Sequence, residues 1–246
     1  MTKLLAVLLT GSAVLAQDEP TVLHIAHGGH GYRVKYATSH MLFTLYGSGF
    51  GTPGESKFPV FDLQGTRVLV CYEQAPLTFN DGRQINAHMP EGLMYHVGEK
   101  CPVEVEVAGR RTQVAEVEIV TQSLGLLLFT LDAPRINGKA TGETLRLPTA
   151  FTPSGQPIGP ANYGLTPAEP GSIIVLEATG CNRTGKQLDR VLIGGKHALV
   201  VGQEISGDLP QGVCRVQVDV PLDLSGGLQY MQVEAIYYGL WVGARK

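Results

Sequence analysis

Two stretches of this 246-residue chain carry the same landmarks in the same order. LFTLYGSGFGTPG, Leu42 to Gly54, is matched by IIVLEATGCNRTG, Ile173 to Gly185, so that Gly49 aligns with Gly180 and Gly54 with Gly185. Downstream, RVLV at 67–70 returns as RVLI at 190–193, and Ala75 matches Ala198. INAHMP at 85–90 then returns as VQVDVP at 216–221. The first and last landmarks are displaced by the same offset, about 131 residues. Solenoid units are shorter than this, so the repeat predicts one β-rich domain built twice.

Gly49, Gly51 and Gly54 also have the spacing of a pyrophosphate-binding loop. Such a loop needs a helix directly behind it, whose first amides and dipole hold the anion. Behind Gly54 the chain instead runs ESKFPVFDLQG, with Pro59 and no 3.6-residue periodicity, and the second copy has Asn182 in place of the middle glycine. The glycines are therefore expected to end a strand in a turn that needs positive φ.

Strand signals fill both copies. RVLVCY, QINAHM, PVEVEVAG and VAEVEIV read as strands in the first, SIIVLEAT, RVLIGG, CRVQVDV and YMQVEAIYY in the second. In VEVEV and VQVDV the valines point one way and the polar residues the other. Short strands, frequent turn residues (31 Gly and 15 Pro) and no helical stretch predict an all-β chain of two immunoglobulin-like β-sandwiches. The first is expected over residues 17–120 and the second over 171–246. Residues 121–170 hold LGLLLF and ETLRLPTAFTPSGQPIG. Leu145, Leu147 and Phe151 need cover, so a packed β-ribbon linker is expected there in place of a flexible tether.

Residues 1–16, MTKLLAVLLTGSAVLA, combine one lysine, an apolar run and small residues, the pattern of a secretory signal peptide cleaved after Ala16. That run is too short to cross a bilayer, and no later segment approaches about 20 apolar residues. The mature chain is thus expected to be secreted or held at the cell surface, without a membrane span. In an oxidising compartment Cys71, Cys101, Cys181 and Cys214 are expected to form disulfides. Three connectivities are open; Cys71–Cys101 with Cys181–Cys214 keeps each bridge inside one domain. Free buried thiols are the alternative. A zinc site finds no C-x-x-C pair and no finger spacing.

A net charge of −3 supplies no basic stripe for a nucleic acid. His24, His27 and His30 in HIAHGGHGY offer three imidazoles of the kind that bind Zn²⁺ or Cu²⁺. The intervening glycines oppose a helix, however, and in a strand neighbours of the trio face opposite ways. No metal and no cofactor are expected. A hydrolase would need a nucleophile partnered with a base, and no G-x-S-x-G elbow occurs. His40 and His88 read as surface or edge residues, and the chain as a non-enzyme. Tyr230, Tyr237, Tyr238 and Trp241 cluster near the C-terminus. Aromatic platforms of this kind stack on sugar rings, although alternation should turn half of them inward.

PAEPGSIIVLEATG, RVLIGGKHALVV and GVCRVQVDVP with the later SGG resemble the C-terminal module of many secreted acidobacterial proteins, a tandem of IPT/TIG-like immunoglobulin folds. LYGSGFG is similar to that family's fGsgL turn, QINAHMPEGL to its QIN-x-x-vP strand, and LGLLLFTLD to its PGiF linker element. The similarity covers about residues 20 to 246. The cysteines lie outside the family pattern, and the linker lacks the usual proline. The resemblance implies an IPT/TIG-like fold and an extracytoplasmic, non-catalytic role, without naming a ligand. The expected function is a structural or adhesion module that binds an extracellular protein or glycan. The alternative is a carbohydrate-binding accessory module of a polysaccharide-degrading system.

Overall fold

The computed structural model describes residues 19–244 apart from 30, 122, 132–134, 137–138, 141–143, 182–190, 206–211 and 234–235. The expected signal peptide and His30 lie outside the described residues.

The first half contains β1 (Thr21–His27), β2 (Tyr36–Ala37), β3 (Leu42–Ser48), β4 (Gly54–Val60), β5 (Thr66–Val70), β6 (Glu73–Ala75), β7 (Leu77–Asn80), β8 (Gln84–His88), β9 (Lys100–Val107) and β10 (Arg110–Ile119). They form two sheets, β1-β3-β8-β7-β4 and β2-β10-β9-β5-β6. Both sheets contribute to one core that includes Phe43, Leu45, Ile85, Val103 and Val105. In β9 the burial alternates without a break, Val103, Val105 and Val107 inward and Glu104 and Glu106 outward. Each inward valine stabilises the fold by roughly 1.5–3 kcal/mol relative to exposure.

The second half contains β11 (Gly125–Leu126), β12 (Leu128–Leu131), β13 (Arg135–Ile136), β14 (Lys139–Ala140), β15 (Leu145–Pro148), β16 (Ala150–Phe151), β17 (Ile173–Thr179), β18 (Val191–Ile193), β19 (Lys196–Ala198), β20 (Val200–Glu204), β21 (Val213–Asp219), β22 (Gly227–Val233) and β23 (Ile236–Val242). Its main sheets are β11-β17-β21-β20, with β16 also on β17, and β19-β18-β22-β23. A separate core includes Leu126, Ile174, Leu176, Val216, Met231 and Leu240. Leu124, Ala150, Ile158 and Ala168, from the segment between the repeated landmarks, pack into this core.

The repeat is visible in the strand order. The run β3-β8-β7 corresponds to β17-β21-β20, and β10-β9-β5-β6 corresponds to β23-β22-β18-β19. At the glycine loop, Gly49 and Gly51 have φ of 74° and 80°, and the strand β4 follows from Gly54, as a turn requires. The hairpins β5–β6 and β18–β19 each close through two residues at positive φ, the arrangement of a type I′ turn. In the second half these are Gly194 and Gly195, at 59° and 78°; in the first they are Cys71 and Tyr72, at 51° and 66°. Side chains in this region cost about 1 kcal/mol each, which glycine avoids. The cysteines pair as Cys71–Cys101 and Cys181–Cys214, with Cα separations of 4.7 and 6.4 Å. Sequence separations of 30 and 33 residues give each bridge about 4 kcal/mol of stabilisation through loop-closure entropy.

Candidate functional site

The outer face of the β19-β18-β22-β23 sheet is built by strict strand pairing. His197, Leu192, Gln232 and Tyr237 are successive cross-strand partners and form one row across all four strands. The next row is Tyr230 opposite Gly239, and the third is Leu228 opposite Trp241. Rows two residues apart lie about 7 Å from each other along the strands. Tyr230 is 69% exposed, Tyr237 64% and Leu228 48%, while Trp241 and Leu192 are half-buried. Gly239 leaves the position facing Tyr230 empty of side chain; a Cβ there would meet only Leu228 Cδ1, at 3.1 Å. The result is an open aromatic platform with a carboxamide, Gln232, and an imidazole, His197, in one row.

The corresponding face of the first half is chemically different. Arg67, Glu106 and Arg111 are cross-strand partners there, and Glu104 lies opposite Leu69 and Gln113. Arg67 approaches Glu106 at 3.6 Å, and Arg111 approaches Glu106 at 3.2 Å and Glu104 at 3.7 Å. The same surface of one repeated unit is thus a ladder of paired charges in one copy and aromatic in the other.

Of the four aromatics singled out in the sequence, the structure brings Tyr230, Tyr237 and Trp241 to this face. Tyr238 is a correction. It is 5% exposed and belongs to the second core, where its hydroxyl accepts a hydrogen bond from the Leu126 N–H at 3.0 Å. Pairing of Tyr238 with Met231 turns it inward, away from any ligand on the opposite face. On the other sheet of the same half a groove of about 280 Å³ lies between Phe151, Pro153, Arg215 and Gln217, with Arg215 held by Glu177 at 3.4 Å.

The histidines separate. His24 stacks on Tyr46, with ring centroids 4.7 Å apart. His27 is buried; its Nδ1 accepts from the Gly29 N–H at 3.0 Å, so Nε2 carries the proton and donates to the Ser123 carbonyl at 2.9 Å. Burial holds its pKa below the ordinary value, and the Ser123 bond opposes that shift. His40 and His88 are not surface residues: they are 8% and 5% exposed. They lie where the two halves meet. Gly212 of the second half sits against the His40 carbonyl, and a Cβ there would be 3.1 Å from His88 Nδ1. Nearby, the Leu42 N–H donates to Thr179 Oγ1 at 2.8 Å. The linear sequence gave no sign of this burial because part of the cover, at Gly212, comes from the second half. The sequence pattern also gave no signal for His96 and Glu99, which lie beside the Cys71–Cys101 bridge.

No protein-family model matches this chain, and no curated protein matches it. Among solved structures it is similar to a surface glycan-binding protein of Prevotella bryantii, at 11% identity over 92% of this chain and 42% of that one, with a TM-score of 0.29. It is also similar to the surface glycan-binding protein of the Bacteroides ovatus mixed-linkage glucan utilization locus, in complex with a mixed-linkage heptasaccharide. There the identity is 14% over 93% and 46% of the two chains, with a TM-score of 0.36. A Bacteroides thetaiotaomicron chain assigned provisionally as a phosphatase gives 11% identity over 90% and 47%, with a TM-score of 0.29. The chain spans less than half the length of each. Likeness at this level carries no inference about function.

Proposed function

We propose that this chain is a non-catalytic binding module, secreted or displayed at the cell surface, whose second β-sandwich takes a glycan on its aromatic sheet face. The reading includes export through residues 1–16 and kinship with tandem IPT/TIG-like modules. The observation that carries it is the contrast between copies: Leu228, Tyr230, Tyr237 and Trp241 occupy the face that the first copy fills with Arg67, Glu106 and Arg111. Large exposed apolar side chains grouped on one face mark an interaction surface. Tyrosine and tryptophan rings stack on the apolar faces of sugars, while Gln232 and His197 can exchange hydrogen bonds with hydroxyls. Exposed rings set in successive rows across an open sheet face suit an extended oligosaccharide better than a compact metabolite, which prefers a concave pocket. The two disulfides fit an oxidising compartment.

Trp241 is the only tryptophan, so its fluorescence reports the platform directly. A glycan array followed by fluorescence titration is expected to find oligosaccharides that shift its emission, with binding lost in Trp241→Ala and kept in Arg215→Ala. Emission unmoved by every glycan that binds, or equal binding by Trp241→Ala, would remove the platform from the proposal.

A further inference from the structure

Away from the aromatic face, four ligand-type side chains converge in the first half. Cys71, His96, Glu99 and Cys101 each present one donor atom, and these atoms lie within 4.8 Å of one another. Cys101 is fully buried and Cys71 nearly so, while the His96 and Glu99 side chains are 31% and 61% exposed. The sulfurs are therefore the floor of the cluster, and the imidazole and carboxylate its mouth. His96 Nδ1 lies 2.8 Å from Glu99 Oε2, and its other ring nitrogen lies 3.8 Å from Glu73 Oε1. A short 3₁₀ turn, Glu91–His96, delivers the imidazole, and the Glu99 N–H donates to the His96 carbonyl at 2.9 Å.

We propose that this cluster is a redox-gated zinc site. With the Cys71–Cys101 bond closed, the sulfurs are withheld. A dithiol reductant opens the bond: the disulfide gains two electrons and two protons, and the reductant leaves as its own disulfide. One Zn²⁺ then binds two thiolates, the imidazole and the carboxylate, and the two thiol protons pass to solvent.

The donor set suits this metal. Thiolate, imidazole and carboxylate are the ligands of tetrahedral zinc, and the thiolates select against the hard cations calcium and magnesium. Glu73 Oε1, 3.8 Å from the other ring nitrogen, lies outside hydrogen-bond distance but on the side from which an outer carboxylate orients a ligating histidine. Tetrahedral zinc needs its sulfurs about 3.8 Å apart, with bonds of about 2.3 Å, so the site asks for a small separation after reduction. Rotation of the Cys71 side chain can supply it: Cys71 sits in the β5–β6 turn, past the last paired residue Val70, although its N–H still donates to the Pro102 carbonyl at 3.1 Å. It also occupies a positive-φ position that the second copy gives to glycine, so its side chain is kept against backbone preference. A disulfide alone explains that retention but not His96 and Glu99. Among the described residues, no such group gathers at Cys181–Cys214, which makes it an internal control.

The test uses the full chain, oxidised or reduced with a non-chelating phosphine, titrated with Zn²⁺ and with Co²⁺ as spectroscopic probe. One ion per chain is expected only after reduction, with thiolate-to-cobalt charge-transfer bands. Zinc should slow alkylation of Cys71 and Cys101 at least tenfold and leave Cys181 and Cys214 reactive. His96→Ala and Glu99→Gln should each weaken binding at least tenfold; both positions are at the mouth, and the oxidised variants should melt like the parent. The proposal is overturned by equal zinc binding in oxidised and reduced chains, by no binding after reduction, or by unchanged affinity in His96→Ala. It also fails if the reduced chain unfolds with zinc as readily as without it.

Discussion

At the scale of single residues, glycine does two kinds of work here, and the two have different energetic consequences. At Gly195 the requirement is dihedral only: φ is 78° and nothing lies within 4 Å of a built Cβ. At Gly180 φ is also 78°, but a Cβ would fall on the carbonyl oxygen of Ser123. Gly195→Ala should therefore destabilise by about 1 kcal/mol. Gly180→Ala should cost about 3 kcal/mol or more, since backbone must move as well. Urea denaturation of the two variants checks this, and comparable losses would mean that the Ser123 contact relaxes freely. Only the dihedral half of this difference was legible in the sequence. The alignment of Gly49 with Gly180 identifies a turn, but not the second strand of chain lying across it.

At the scale of elements, the in–out alternation of a strand is a local property, and β9 shows it unbroken from Cys101 to Val107. The aromatic hairpin is harder to read, because β22 ends at Val233, β23 starts at Ile236, and the phase of the second does not follow from that of the first. Pairing of Gln232 with Tyr237 sets it, sending Tyr237 and Trp241 outward and Tyr238 inward. Tyr230→Ala and Tyr237→Ala should abolish glycan binding while changing stability by no more than about 0.5 kcal/mol, as both rings are mostly in solvent. Tyr238→Phe should do the reverse. It leaves the buried Leu126 N–H without its partner, for a loss of about 1–3 kcal/mol, and spares binding. Paired titration and thermal melts separate these outcomes; a Tyr238→Phe variant that loses its ligand would contradict the assigned faces.

At the scale of the molecule, the junction between halves holds buried imidazoles, and this makes stability depend on pH. Burial, with the nearby His40 adding to it, pushes the His88 pKa from the ordinary 6.5 down to about 4. The unfolded chain therefore binds a proton that the folded chain refuses between those values. Stability from this group is complete above about pH 6.5 and falls as pH drops toward 4, by up to about 3 kcal/mol. His27, lowered for the same first reason, adds a slope of the same sign. Denaturation midpoints measured from pH 7 to 4.5 should decline, and His88→Gln should flatten the decline; an unchanged slope would place the titration elsewhere. None of this was legible in the linear chain, where His40 and His88 have no neighbours to desolvate them. The amino-acid order by itself determined the twofold repeat, most of the strands and the all-β class, because period-two burial and positive φ depend on residues close together in the chain. It missed the break between Val233 and Ile236, inside the stretch read as the single strand YMQVEAIYY. Only the tertiary structure decided which cysteines pair, which tyrosines meet water, what lies beside His96, and that His40 and His88 are sealed at a junction. Those outcomes depend on strand register and on the docking of one half against the other, which no local pattern encodes.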